Sequence, residues 1–220
     1  MTVDNVTWLS YFSATESPVL PVAWGMQIWL RLGWGVVLAC AVAWPVRSWS
    51  ARWRVALAAT AALWCGVGGP YSPTHWLGLA FQAPSIGLVL LCGLILWTQF
   101  FSPESASAQA NQYTLSGRLI IAGFAVALGW VLLLDALALL PFSVYAWGFG
   151  PAAIGLTMLV LCVPWVGARG DAARDAAVWV APIALVLFVV LRLPSGNLWD
   201  ALLDPWLWAG LHVYVIRRLR

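Results

Sequence analysis

The sequence predicts an all-α fold: a polytopic transmembrane helical bundle of about seven spans, N-terminus outside and C-terminus inside. Three observations carry this. The 220 residues are 63% hydrophobic and 9% charged, with mean hydropathy +0.88, where soluble domains hold about 25% charged and about 45–50% apolar residues. The apolar residues fall into runs close to the ~20 that cross a bilayer core. The arginines gather at one set of run ends, as the positive-inside bias requires.

Taken in order, the chain reads as one integral-membrane domain, 1–220, opening on an outer N-terminal segment, 1–21. That segment carries Asp4 and Glu16, has no basic start and no continuous apolar core, and so is not a secretory signal. The first span covers 22–46 and ends at Arg47, Arg52 and Arg54; the second covers 55–69. The stretch GGPYSPTHWLGLAFQAP is too broken to span and reads as a loop with a short interfacial helix. The third span is 84–101, and the Ser/Ala/Gln-rich 102–117 is a cytoplasmic loop. Spans follow at 118–140, 150–167 and 176–193, and the last, 198–216, is interrupted at Pro205. Gly150-Pro151 and Asp204-Pro205 read as helix starts, the latter with Asp as N-cap and Pro at the first helical position.

This threading puts Arg47, Arg52, Arg54, Arg118, Arg169, Arg174, Arg217, Arg218 and Arg220 inside. Only Arg31 and Arg192 are left over, so the bias is nine against two. The expected location is the plasma membrane, of the bacterial inner-membrane type. Gly35, Ala39 and Ala43 in the first span, and Ala58, Ala62 and Gly66 in the second, recur every four residues. Small residues so placed let helix backbones approach closely in lipid. A parallel hairpin repeat is hinted at by Pro70-Tyr71-Ser72 with Trp76 against Pro141-Phe142-Ser143 with Trp147, and by IGLVLLCGLILW against IGLTMLVLCVPW. A third hairpin, Pro194-Ser195 with Trp199, matches less well.

Composition also excludes. All eleven cationic side chains are arginine, so chemistry through a lysine Schiff base is ruled out. The net charge of +3 reflects arginines at helix ends rather than a basic stripe, which argues against nucleic acid. Cys40, Cys65, Cys92 and Cys162 sit in apolar runs without CxxC spacing and read as small hydrophobes. The 17 tryptophans read as an interfacial belt plus packing rather than a cofactor box. No HExxH, GxSxG, Walker or GxGxxG pattern occurs. No cofactor or metal is expected.

Charges inside a membrane are rare and usually paired, because each costs about 2.5–3.5 kcal/mol at the bilayer centre. Arg31 and Asp135 fall within the first and fourth spans at compatible depths, and Gln27 shares the Arg31 helix face with Trp24. One reading has Arg31, Gln27 and Asp135 line a polar pocket open to the outside, with Tyr145, His75, Arg192, Asp200 and Asp204 at its mouth. The other has Arg31 and Asp135 form an ion pair that only fixes the first span against the fourth. Asp200, Asp204, Trp208 and His212 recur every four residues but stretch about 18 Å, too far for one metal. His75 and His212 fall on opposite sides, which disfavours a bis-His haem.

Three function classes follow. A non-catalytic membrane subunit or assembly factor, partnered by other membrane subunits and the bilayer, is favoured by small size, short loops and abundant Trp. A small-solute or ion transporter is favoured by Arg31, Gln27, Asp135 and the kink-capable Pro164 and Pro182. A membrane enzyme acting on a lipid-linked substrate at the outer face would use Asp135 or His75. No catalytic residue set is present, and the first class ranks ahead of the other two.

Overall fold

The computed structural model describes residues 18–101, 112–167 and 176–220. The helices are α1 (Ala23–Ala43), α2 (Ala51–Gly66), α3 (Pro73–Phe81), α4 (Ile86–Phe101), α5 (Gln112–Ala136), α6 (Val144–Trp147) and α7 (Pro151–Gly167). A 3-10 turn (Ala176–Trp179) runs into α8 (Val180–Leu191), followed by α9 (Leu198–Leu202) and α10 (Pro205–Leu219). No strand occurs among the described residues, so the chain is all-helical as expected.

Among the described residues two helical stretches are long and apolar enough to cross a membrane, Ala23–Ala43 and Gly117–Ala136. The other apolar helices are shorter. At about 1.5 Å per residue, the 16 residues of α4 rise about 24 Å, against a hydrocarbon core of about 30 Å. The shortfall arises at the ends, where the sequence runs included apolar residues that the fold places in turns. Helix α2 stops before Gly68-Gly69-Pro70, and α8 stops at Arg192, which adopts a left-handed C-cap. The interruption expected at Pro205 is a break between α9 and α10.

Other boundaries differ from expectation as well. Arg52 and Arg54 lie in the first turn of α2 rather than in a linker. Of the loop expected at 102–117, 112–117 is helical and belongs to α5, while 102–111 lies outside the described residues. So does most of the N-terminal segment, 1–17.

Helix α1 packs on α2 and α4, α4 on α8, and α5 on both α7 and α10. The α1–α2 seam is built from small residues: Ala39, Ala43 and Ala58 are buried against one another with Ala62 beside them. A methyl on Gly35 would sit 3.4 Å from the Ala62 carbonyl oxygen, whereas Gly66 faces open space. Phe188, Ile86 and Leu198 are fully buried and join α8, α4 and α9. Cys40 and Cys92 pack with Leu88, Leu203 and Leu207 as small hydrophobes. Outward faces remain apolar: Leu63 is 75% exposed, Leu159 70% and Val190 72%.

The tightest approach of a glycine to another segment's backbone is that of α4 to the end of α9. A methyl on Gly87 would stand 2.5 Å from the Leu202 carbonyl oxygen, a backbone atom that cannot rotate away. Gly87→Ala is therefore expected to destabilise the fold by about 1–3 kcal/mol through overpacking. Chemical unfolding of the detergent-solubilised protein checks this, with Gly93→Ala, where a methyl meets nothing within 4 Å, as the control.

Both hairpin prolines lead into serine-capped helices, but these differ in size. Ser72 caps the nine-residue α3 and Ser143 the four-residue α6.

Candidate functional site

Two connections at one end of the bundle face each other. The first is Gln82–Ser85, between α3 and α4. Gln82 has φ 61° and ψ −148°, a backbone region close to one that is almost exclusively glycine's. Indoles from α1 hold this strained link: Trp34 Nε1 donates to the Gln82 carbonyl at 2.8 Å and Trp29 Nε1 to the Pro84 carbonyl at 2.9 Å. Asp204 holds its far end. One carboxylate oxygen accepts from Leu207 N at 2.8 Å and so caps α10, while the other accepts from Ser85 N at 2.9 Å.

The second connection is double, 143–150 packed on 193–203. Its centre is Asn197, which is fully buried. The Asn197 amide donates to the Tyr145 carbonyl and its oxygen accepts from Trp199 N, both at 2.9 Å, so α9 is capped and α6 clamped by one side chain. Leu198 N donates to the Gly148 carbonyl, and Trp199 Nε1 to the Val144 carbonyl. A methyl on Gly148 would overlap the Asn197 amide oxygen, so glycine is needed for this approach.

These clamps set the orientation of Tyr145. Its N–H donates to Asp135 Oδ2 at 2.6 Å, and the Ser143 hydroxyl donates to the same oxygen at 3.2 Å. Its phenol donates to Asp200 Oδ2 at 2.7 Å, an oxygen that also accepts from the Ser195 hydroxyl. Among the described residues nothing donates to Asp200 Oδ1, which leaves one charged acceptor for another species. Burial of the phenol, reinforced by the Asp200 carboxylate beside it, pushes Tyr145 above its ordinary 10.0. At neutral pH Tyr145 is therefore a donor. Because its pKa is raised in the folded state, its contribution to stability is complete below pH 10 and is lost as pH rises beyond that. Thermal melts between pH 9 and 11.5 are expected to show an alkaline fall that is shallower in Tyr145→Phe.

Between the two connections lies a cavity of about 640 Å³. Its polar lining is Gln27 from α1, Gln82, Tyr145, Ser195, Asp200 and Asp204, with Met26, Leu30, Phe81 and Leu203 as apolar wall. Among the described residues the lining holds two carboxylates and no cationic side chain.

Four of the eight sequence candidates thus meet at one cavity: Gln27, Tyr145, Asp200 and Asp204. The other four do not line it. Arg31 lies one turn beyond Gln27 on α1 and is exposed. Asp135 stands behind the cavity and positions Tyr145, with its hydrogen bonds coming from Ser143 and Tyr145. The alternative Arg31–Asp135 ion pair does not form, because the end of α5 turns the carboxylate toward the start of α6. Arg192 lays its guanidinium over Phe188, 5.2 Å from the ring centre. His75 is exposed and packs edge-on against Trp76.

The chain matches no known protein family, no curated protein and no solved structure. Its chemistry must be read from its own residues.

His212 is committed elsewhere. Trp130 Nε1 donates to its Nε2 at 3.0 Å, which requires Nδ1 to carry the proton and donate to the Trp208 carbonyl at 2.9 Å. Both ring nitrogens are thereby used, within the α5–α10 seam. Among the described residues no three His, Cys, Asp or Glu side chains stand together as a metal site. Sequence reasoning missed Ser195, Gln82 and Asn197. Asn197 had a legible signal, an Asn just before an apolar run that reads as an N-cap. Ser195 and Gln82 had none, since their roles depend on partners far along the chain.

Proposed function

We propose that this is a multi-pass integral membrane protein that takes a small, cationic, hydrogen-bonding solute into the cavity around Asp200, as a transporter of the small-solute class does. Seven helices, α1, α2, α4, α5, α7, α8 and α10, would cross the membrane, the short ones with their link residues dipping into the interface. The exposed apolar faces of α2, α7 and α8 support this, since such a surface suits lipid and not water. In this reading the positive-inside bias favours the outer face for the cavity.

The observation that carries the solute reading is Asp200: one oxygen fixed by Tyr145 and Ser195, the other without a donor, in a cavity with a second carboxylate and no cation. The volume of about 640 Å³ falls in the ordinary range for small-molecule sites, about 300–1,000 Å³. A protonated amine would supply the positive charge that this lining lacks and a hydrogen-bond donor for Asp200 Oδ1.

Titration calorimetry of the purified protein with organic ammonium ions, from methylammonium to putrescine, tests the reading. Asp200→Asn is expected to weaken binding about 10–100-fold, the worth of one charge-assisted hydrogen bond. Uptake of the tightest binder into proteoliposomes then separates transport from binding alone. Should no ammonium ion bind, and should a stoichiometric protein partner persist through mild-detergent purification, the non-catalytic subunit role replaces this one.

A further inference from the structure

A second cavity, of about 460 Å³, lies between α4, α5, α8 and α10 and shares no role with the first. Its wall is apolar along its length, with Leu88, Leu91, Ile95, Ile121 and Leu211 among the lining. From Gly87 to Ile95 the α4 side alone rises about 12 Å, so the space is a slot rather than a sphere. One end is basic. Arg118 lines it, and so does Tyr214, over whose ring the Arg218 guanidinium stands at 5.7 Å. Water gains little in such a space, since a buried water needs two to four polar partners. A methylene chain gains dispersion contacts along the whole lining.

We propose that this slot binds one acyl chain of an anionic phospholipid, with the phosphate held at the Arg118–Arg218 end. The slot supplies affinity through the chain and the arginines supply preference for the headgroup charge. The site faces the arginine-rich leaflet, opposite the Asp200 cavity. This inference rests on the membrane-spanning reading, though not on the solute.

Gly210 makes a clean test. It lines the slot, and a methyl built there meets nothing within 4 Å, so a side chain can leave the backbone freely and leucine would fill part of the channel. The probes are phosphatidylglycerol and phosphatidylcholine, added to protein stripped of lipid by detergent, with bound lipid counted by native mass spectrometry. Wild type is expected to retain one phosphatidylglycerol. Gly210→Leu is expected to bind it about tenfold more weakly, the loss of roughly two methylene positions. Arg218→Gln is expected to keep the chain but reduce the preference over phosphatidylcholine about fivefold. Liposome flotation of each variant runs alongside. Flotation of all variants with undiminished retention by Gly210→Leu overturns the slot and leaves the membrane reading standing. Flotation with retention lost in Gly210→Leu, but with an unchanged lipid preference in Arg218→Gln, overturns the headgroup assignment. Failure of wild type to float overturns the membrane reading and this inference with it.

Discussion

Asn197→Leu is expected to destabilise the protein by about 3–5 kcal/mol, among the largest effects of any single substitution. Asn197 has no exposed surface, and its side chain satisfies two backbone groups from different segments, the Tyr145 carbonyl and the Trp199 N–H. Leucine has the same branched outline, with bulkier methyls where the amide oxygen and nitrogen stood, so some overpacking adds to the loss. What also changes is that a buried acceptor and a buried donor lose their partners at once, each at about 1–3 kcal/mol. The α9 cap disappears with them, and α6 loses the clamp that fixes Tyr145. The apparent melting temperature in detergent should fall by roughly 6 °C or more. Asn197→Asp is the informative companion. It keeps the acceptor for Trp199 N but turns an anion toward the Tyr145 carbonyl, so it should also be destabilising. If leucine proves neutral, the clamp does not exist in solution and the orientation of Tyr145 toward Asp200 loses its basis.

The parts of this fold that were legible in the sequence are those governed by neighbours in the chain. Asp204-Pro205 and Gly150-Pro151 open helices where expected, because capping depends on two or three adjacent residues. The alanine stripes of α1 and α2 meet because four-residue spacing fixes a helix face. The tryptophans were harder. Read as an interfacial belt plus packing, several also lend their indole N–H to carbonyls in the links: Trp29 to Pro84, Trp34 to Gln82, Trp64 to Tyr71, Trp76 to Pro70 and Trp199 to Val144. A buried link must satisfy its backbone internally, and an indole brings a donor on an apolar body. Which carbonyl each would reach depends on tertiary placement. Asp135 shows the same limit from the other direction. A carboxylate in an apolar run was expected to seek a cation, and Arg31 was at the right depth. The chain supplied a backbone N–H and a hydroxyl instead, from residues only eight to ten positions on. Local backbone donors can settle a carboxylate without a counter-ion, and Arg31 was left at the surface.

Asp204→Ala is expected to cost about 2–4 kcal/mol and to loosen both ends of the Asp200 cavity together. Its two oxygens hold two elements distant in sequence, the first turn of α10 through Leu207 N and the start of α4 through Ser85 N. Losing the cap costs about 0.5–2 kcal/mol. Ser85 is fully buried, so its N–H would be left without an acceptor, at about 1–3 kcal/mol more. Asp204→Asn separates the two contributions. One amide oxygen can serve Leu207 or Ser85 but not both, because the amide nitrogen only donates. About half the loss is therefore expected, read as equilibrium unfolding in detergent. The same substitutions bear on the cavity, since the Gln82–Ser85 link is held by α1 indoles on one side and Asp204 on the other. With Asp204 gone, Gln82 has less to oppose its strained backbone, and relaxation toward ordinary φ would shift the wall opposite Tyr145. Hydrogen exchange should then quicken at Ser85 and Val89, whose amides report the first turn of α4, while amides in the α1–α2 seam stay unchanged. Equal loosening in both places would mean that Asp204 supports the whole bundle rather than this one connection.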